Sequence, residues 1–220
     1  MKYSFSLTFL ILFSTKLLGQ FFNGGLSSGV NLSELFFNHG YNEVDGGKNK
    51  FGYMAGCFTN YNINKRITNQ FELNLIQKGH RSTIYTSNDI IASQWEISQT
   101  YIEPTFLFKY NLWKKLHLGF GVSFGYLVNT KFVENYGTVP AEIRNLSFTK
   151  FDKSIMFELS YFFHSNIELS LRASQSVVST THQDKMSYWY LFDYNDQKGT
   201  FNEVVELSIY YTINKKKRSQ

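Results

Sequence analysis

Leu116–Val128 reads LHLGFGVSFGYLV. Leu116, Leu118, Phe120, Val122, Phe124, Tyr126 and Val128 are large and apolar. The residues between them are His117, Gly119, Gly121, Ser123 and Gly125, with Leu127 breaking the pattern. A β-strand sends alternate side chains to opposite faces, so this stretch has one apolar face and one nearly bare face. Strands of this kind can close into a barrel with lipid outside and a packed polar lumen inside.

Seven more stretches repeat the alternation. The first spans about Gly24–Phe36, with Leu26, Val30 and Leu32 against Gly25, Ser27, Gly29 and Asn31. The others are about Lys50–Ile63, Ile67–Lys78, Thr100–Leu112, Phe151–Phe163, Ile167–Val178 and Phe201–Ile213. Short polar turns, Asn64–Arg66, Trp113–Lys115 and His164–Asn166, alternate with long polar segments at about 38–49, 79–99, 129–150 and 179–200. The expected fold class is all-β: an eight-stranded antiparallel up-and-down transmembrane β-barrel with short periplasmic turns and long extracellular loops. Each stretch offers about 12 residues, and a tilted membrane strand needs about 9–11.

Composition agrees. Eighteen per cent of the 220 residues are aromatic, yet mean hydropathy is −0.26. Barrel strands are only half apolar, which reconciles the two. Pro104 and Pro140 are the only prolines, so long ladders run uninterrupted. Residues 1–19 read as a cleaved secretory signal peptide, with Lys2 ahead of the apolar run Phe5–Phe13. The barrel domain is expected over 20–213 and a basic periplasmic tail over 214–220. The formal charge is +5. Lys2 and Lys16 leave with the signal, giving +3. Lys215, Lys216, Lys217 and Arg218 carry four more, so the barrel stands at −1. A basic face suited to nucleic acid is not expected. The lone Cys57 excludes an internal disulfide.

A soluble lipocalin-like ligand-binding barrel in the periplasm would show the same alternation inside out. The polar face here consists mainly of Gly, Ser, Asn and Thr, unlike the dense Lys/Glu of a solvated surface. The apolar face is broad and aromatic, more than a small lumen holds. Tyr53, Tyr61, Tyr110, Trp113, Tyr126, Tyr161 and Tyr211 fall near strand ends, where amphipathic rings favour the headgroup zone. The expected location is the outer membrane of a Gram-negative bacterium.

The hairpin FGYMAGCFTNYNINKRITNQFELNLIQKG, Phe51–Gly79, resembles the PorT-type outer-membrane β-barrel family of Bacteroidetes. The matching residues are Gln70, Glu72, Leu73, Gln77, Lys78 and Gly79. Tyr101-Ile102-Glu103-Pro104 through Lys109-Tyr110 is similar to that family's Leu-Glu-Ile-Pro…Lys-Tyr strand. It lacks the residue between Glu and Pro, so Pro104 falls on the face opposite Glu103. The resemblance implies an outer-membrane barrel. Some members of that family serve in a secretion apparatus, but a likeness of strand pattern alone does not imply that role.

The polar faces hold Glu72, Lys78, Glu103, Lys109, Glu158, Glu168, Arg172 and Glu206. Inside a narrow barrel they must pair or be hydrated. They read as a salt-bridged plug, because eight strands leave room for side chains and little else. The alternative is a polar or proton-linked pathway. In the last long segment, Tyr188, Trp189, Tyr190 and Phe192 could recognise a surface glycan or an envelope protein, or else extend the barrel wall. His182 and Asp184 do not amount to a catalytic triad, since triads are not made by proximity in sequence and no nucleophile elbow is present. A small lipid-modifying enzyme is therefore the weaker reading. Asp193–Gly199 begins like a calcium loop but lacks its Gly and closing Glu. The histidines show no metal-ligand spacing. No cofactor is expected, and the expected partner everywhere is outer-membrane lipid.

Overall fold

The computed structural model describes residues 22–38, 47–85, 91–136, 147–181 and 199–213. The signal segment, the tail from 214, and His182, Asp184, Tyr188, Trp189, Tyr190 and Phe192 lie outside the described residues. Eight strands form the barrel: β1 Phe22–Asn38, β2 Lys50–Asn62, β3 Ile67–Tyr85, β4 Ile91–Trp113, β5 Leu116–Tyr136, β6 Phe151–His164, β7 Ile167–Ser176 and β8 Gly199–Ile213. A two-residue strand, Gly47–Lys48, pairs with Ser82 and Arg81 of β3. Each barrel strand pairs antiparallel with its sequence neighbours, and β1 pairs with β8 as well as β2. The ring is therefore closed, with no free edge to leave backbone groups unsatisfied in lipid.

The short turns have local causes. Asn64 Oδ1 accepts from the backbone N–H of Arg66 and of Ile67, both at 2.8 Å, an Asx-type reversal. At the next turn on this end, Lys114-Lys115 joins β4 to β5. At the third, Asn166 Nδ2 donates to the Thr212 carbonyl at 3.1 Å, pinning the β6–β7 connection to β8.

Alternation becomes a two-sided wall. On β5, Leu118, Phe120, Val122, Phe124, Tyr126 and Val128 are exposed, while Gly119, Gly121, Ser123 and Gly125 are buried. The other seven strands divide the same way, with most Leu, Phe, Tyr and Ile outside and mainly polar residues within, joined there by Met54, Phe58, Ile76, Leu107 and Met156. Trp113, at the turn, is 74% exposed. This is the reverse of a soluble barrel.

Two expected loops are strand. The polar segment after Lys78 continues β3 to Tyr85, and β4 begins at Ile91, leaving only 86–90 between them. Likewise β5 runs on to Tyr136. Pairs such as His80–Ile97, Ser82–Trp95 and Ile97–Phe132 carry the ladder well past the apolar belt. Beyond the lipid, the outer face no longer has to be apolar, so the period-two signal fades while backbone pairing persists. Conversely, β7 stops at Ser176, two residues short of the expected end.

The register around Pro104 is resolved by its missing N–H. Against β5 the ladder passes from Ile102–Tyr126 to Thr105–Ser123, skipping Glu103 and Pro104. Glu103 still faces inward and Pro104 outward, and against β3 they pair with Asn74 and Leu73.

Candidate functional site

All eight lumen residues expected from the alternation, Glu72, Lys78, Glu103, Lys109, Glu158, Glu168, Arg172 and Glu206, are buried and face inward. They form two groups. In the first, Arg172, on β7, donates from Nη2 to Glu72 Oε1 at 2.8 Å and from Nη1 to Glu72 Oε2 at 3.1 Å. Glu72 lies on β3, four strands away around the ring in either direction, so this two-pronged pair crosses the full barrel. The same guanidinium reaches Glu158 Oε2 on β6 at 2.6 Å, and Glu206 Oε1 on β8 at 3.8 Å. Glu158 Oε1 also holds Lys109 Nζ of β4 at 2.6 Å, and Lys109 reaches Glu168 Oε1 at 2.9 Å.

The second group centres on Lys78. Its Nζ bonds Glu103 on the neighbouring β4, and Asp152 Oδ2 on β6 at 3.1 Å. The latter pair again crosses the lumen.

In these two groups three cations, Lys78, Lys109 and Arg172, face six carboxylates. Neutral donors add hydrogen bonds to the same carboxylates. Tyr210 Oη accepts from Arg172 Nη2 at 2.8 Å and donates to Glu72 Oε1 at 3.1 Å. Gln70 and Asn74 donate to Glu72, Ser208 to Glu206, and Ser176 and Asn202 to Asp152. In a low-dielectric interior such donors offset part of the desolvation cost that ion pairs alone leave.

Asp152, Tyr210 and Tyr101 are central to this lumen but absent from the expected set. Asp152 shares period-two parity with Ser154 and Glu158, so the signal for it is present in β6. The tyrosines carry it too: Tyr101 shares parity with Glu103 and Lys109, and Tyr210 with Glu206 and Ser208. Lys109 lies over the Tyr210 ring at 5.2 Å and Lys78 over Tyr101 at 5.3 Å. The bare face of β5 makes room for these neighbours. A Cβ on Gly119 would meet Glu158 Cβ at 3.0 Å, and one on Gly125 would meet Tyr101 Cδ1 at 3.0 Å. Leu107 Cδ2, 2.9 Å from a Cβ at Gly121, fills the space between.

Above the ion pairs, at the long-loop end, the lumen holds an apolar cluster among buried polar residues such as His80 and Ser82. Leu35, Trp95 and Ile97 are buried together, with Phe132 and Phe148 packed on them. Replacing Ile97 with valine removes one methylene from this cluster. The expected cost is about 1 kcal/mol in equilibrium unfolding from lipid vesicles. Outside this cluster, Glu96 pairs with Arg81 at 3.0 Å and with Lys50 at 3.6 Å. Among the described residues, no group of His, Cys, Asp and Glu forms a metal cluster.

Similar solved structures are outer-membrane barrels. Neisserial surface protein A aligns with TM-score 0.48 and 8% identity, covering 86% of this chain and 97% of that one. The attachment invasion locus protein Ail of Yersinia pestis gives 0.40 and 12%, covering 87% and 98%. OprG from Pseudomonas aeruginosa gives 0.37 and 10%, covering 88% and 94%. No curated protein matches the chain. The model for the outer membrane protein beta-barrel domain matches residues 14–181, most of the chain, and this protein belongs to that family.

Proposed function

We propose that this protein is a closed, non-enzymatic outer-membrane barrel of PorT type, exported through a cleaved signal peptide, that recognises a surface partner with its long-loop end. The observation that carries this reading is the cross-lumen ion-pair network. Arg172–Glu72 joins strands on opposite sides of the ring and Lys78–Asp152 joins strands three apart, so side chains occupy the path a solute would take. With passage blocked, contact with the surroundings falls to the rim. There β3, β4 and β5 rise beyond the lipid belt around the Leu35–Trp95–Ile97 cluster, a rigid base for the loops. In this reading the loop residues Tyr188, Trp189, Tyr190 and Phe192 supply the contact area, toward an envelope protein or a surface glycan. The buried carboxylates are committed to ion pairs, a structural duty that leaves none poised for lipid chemistry.

Two measurements test it. Planar-bilayer recordings should give no steady, reproducible conductance; a stable open level would overturn the closed lumen. A photo-reactive residue at position 189 should cross-link a discrete partner in intact cells. The cross-link should vanish when Tyr188, Tyr190 and Phe192 become serine while the barrel still migrates as folded. Absence of any cross-linked species would overturn recognition through this loop.

A further inference from the structure

We infer that the barrel wall carries a specific site for an anionic phospholipid, seated on β2–β5 in the leaflet at the short-turn end. Two rows of outward side chains cross these four strands in register. One is Thr59–Phe71–Phe106–Val122 and the next, nearer the turns, is Tyr61–Asn69–Phe108–Phe120. Each row has one small polar residue, Thr59 or Asn69, beside large apolar or aromatic side chains. The dip they leave is a groove of about 330 Å³ walled by Phe71, Phe106, Phe108 and Phe120. It lies on the lipid-facing surface, so its occupant is an acyl chain.

Charge completes the site. The turns directly below the groove carry Lys65, Arg66, Lys114 and Lys115, all exposed. The two turns are adjacent, since Asn111 N–H donates to the Arg66 carbonyl at 2.8 Å. The third short turn, His164–Asn166, has neither Lys nor Arg. Among the described residues, the outward or rim carboxylates Glu34, Glu96, Glu134 and Glu203 all sit toward the long-loop end. No described carboxylate therefore opposes a phosphate beneath the groove. Asn69 lies three residues above Arg66, about 10 Å along the strand. That is the depth of the glycerol esters when a headgroup rests on the turns. The exposed Asn69 amide has a partner there that an all-hydrocarbon setting would deny it. The site rests on the family's membrane placement and goes beyond the recognition reading, which concerns the other end.

Spin-labelled lipids test this in reconstituted vesicles. Insertion is first checked by protease protection in pure phosphatidylcholine. At low salt, phosphatidylglycerol should associate about fivefold more strongly than phosphatidylcholine, an effect of the size that a few basic residues near a bilayer surface produce. The variant Lys65→Gln, Arg66→Gln, Lys114→Gln, Lys115→Gln should lose the preference. Adding Ser165→Lys and Asn166→Lys to it should not restore the preference, because that turn joins β6 and β7, neither of which lines the groove. Asn69→Phe, which fills the groove and keeps the charges, should weaken it. Equal association of the two lipids with the inserted wild-type barrel would overturn this site alone. Restoration by the displaced lysines would overturn it too, in favour of unlocalised charge attraction. Failure to insert in any vesicle would overturn the membrane placement and this site with it.

Discussion

Arg172→Met should lower the unfolding free energy of the barrel by about 3–5 kcal/mol, the cost of stranding buried charges without their partner. Its guanidinium holds Glu72 across the lumen, shares Glu158 with Lys109, and accompanies Glu206. Glu158 keeps Lys109 after the substitution, but Glu72 keeps only neutral donors, Gln70, Asn74 and Tyr210. The double variant Arg172→Met, Glu72→Leu should therefore be more stable than Arg172→Met alone. Urea titration of the vesicle-inserted protein, followed by tryptophan fluorescence and heat-dependent mobility, measures both. A single variant as stable as the wild type would mean that the ion pairs carry no net weight in this lumen.

Ile209→Arg should cost about 2–4 kcal/mol if the outer wall meets lipid at mid-depth. Ile209 stands midway along the outward run Val205, Leu207, Ile209, Tyr211, Ile213, is 53% exposed, and pairs with Leu169 and Ser28. In a water-soluble barrel the same change on an exposed position would be worth within about ±0.5 kcal/mol. The variant separates the two environments by stability alone. Its control is Ser28→Thr on the adjacent strand, which should be near neutral. Unchanged urea resistance for Ile209→Arg would remove lipid from this face.

The wall itself is legible residue by residue. Strand identity, pairing order and the inward direction of Glu72, Lys109 and Arg172 follow from a period of two and from alternating connection lengths, both local properties of the chain. The rule stops working where lipid stops. Between Gly79 and Gln99 the outer residues include Arg81 and Glu96, and polar composition reads as loop although the ladder continues. Trp95 and Ile97 are hidden for the same reason: they face inward at the mouth, where the apolar side of the strand has changed.

Alternation along one strand says which way a side chain points, and nothing about which side chain it meets. That Arg172 finds Glu72, half the ring away, depends on closure and stagger. These are properties of all eight strands together, set by their tilt and shear. The groove under Phe106 arises likewise, from Thr59 and Asn69 arriving side by side through registers that no single strand encodes. The primary structure was sufficient for the class of solvent on each face of the wall, because burial of alternate residues is a local constraint. Partner choice inside the lumen and relief on the outer surface required the closed ring, because both are contacts between residues distant in the chain.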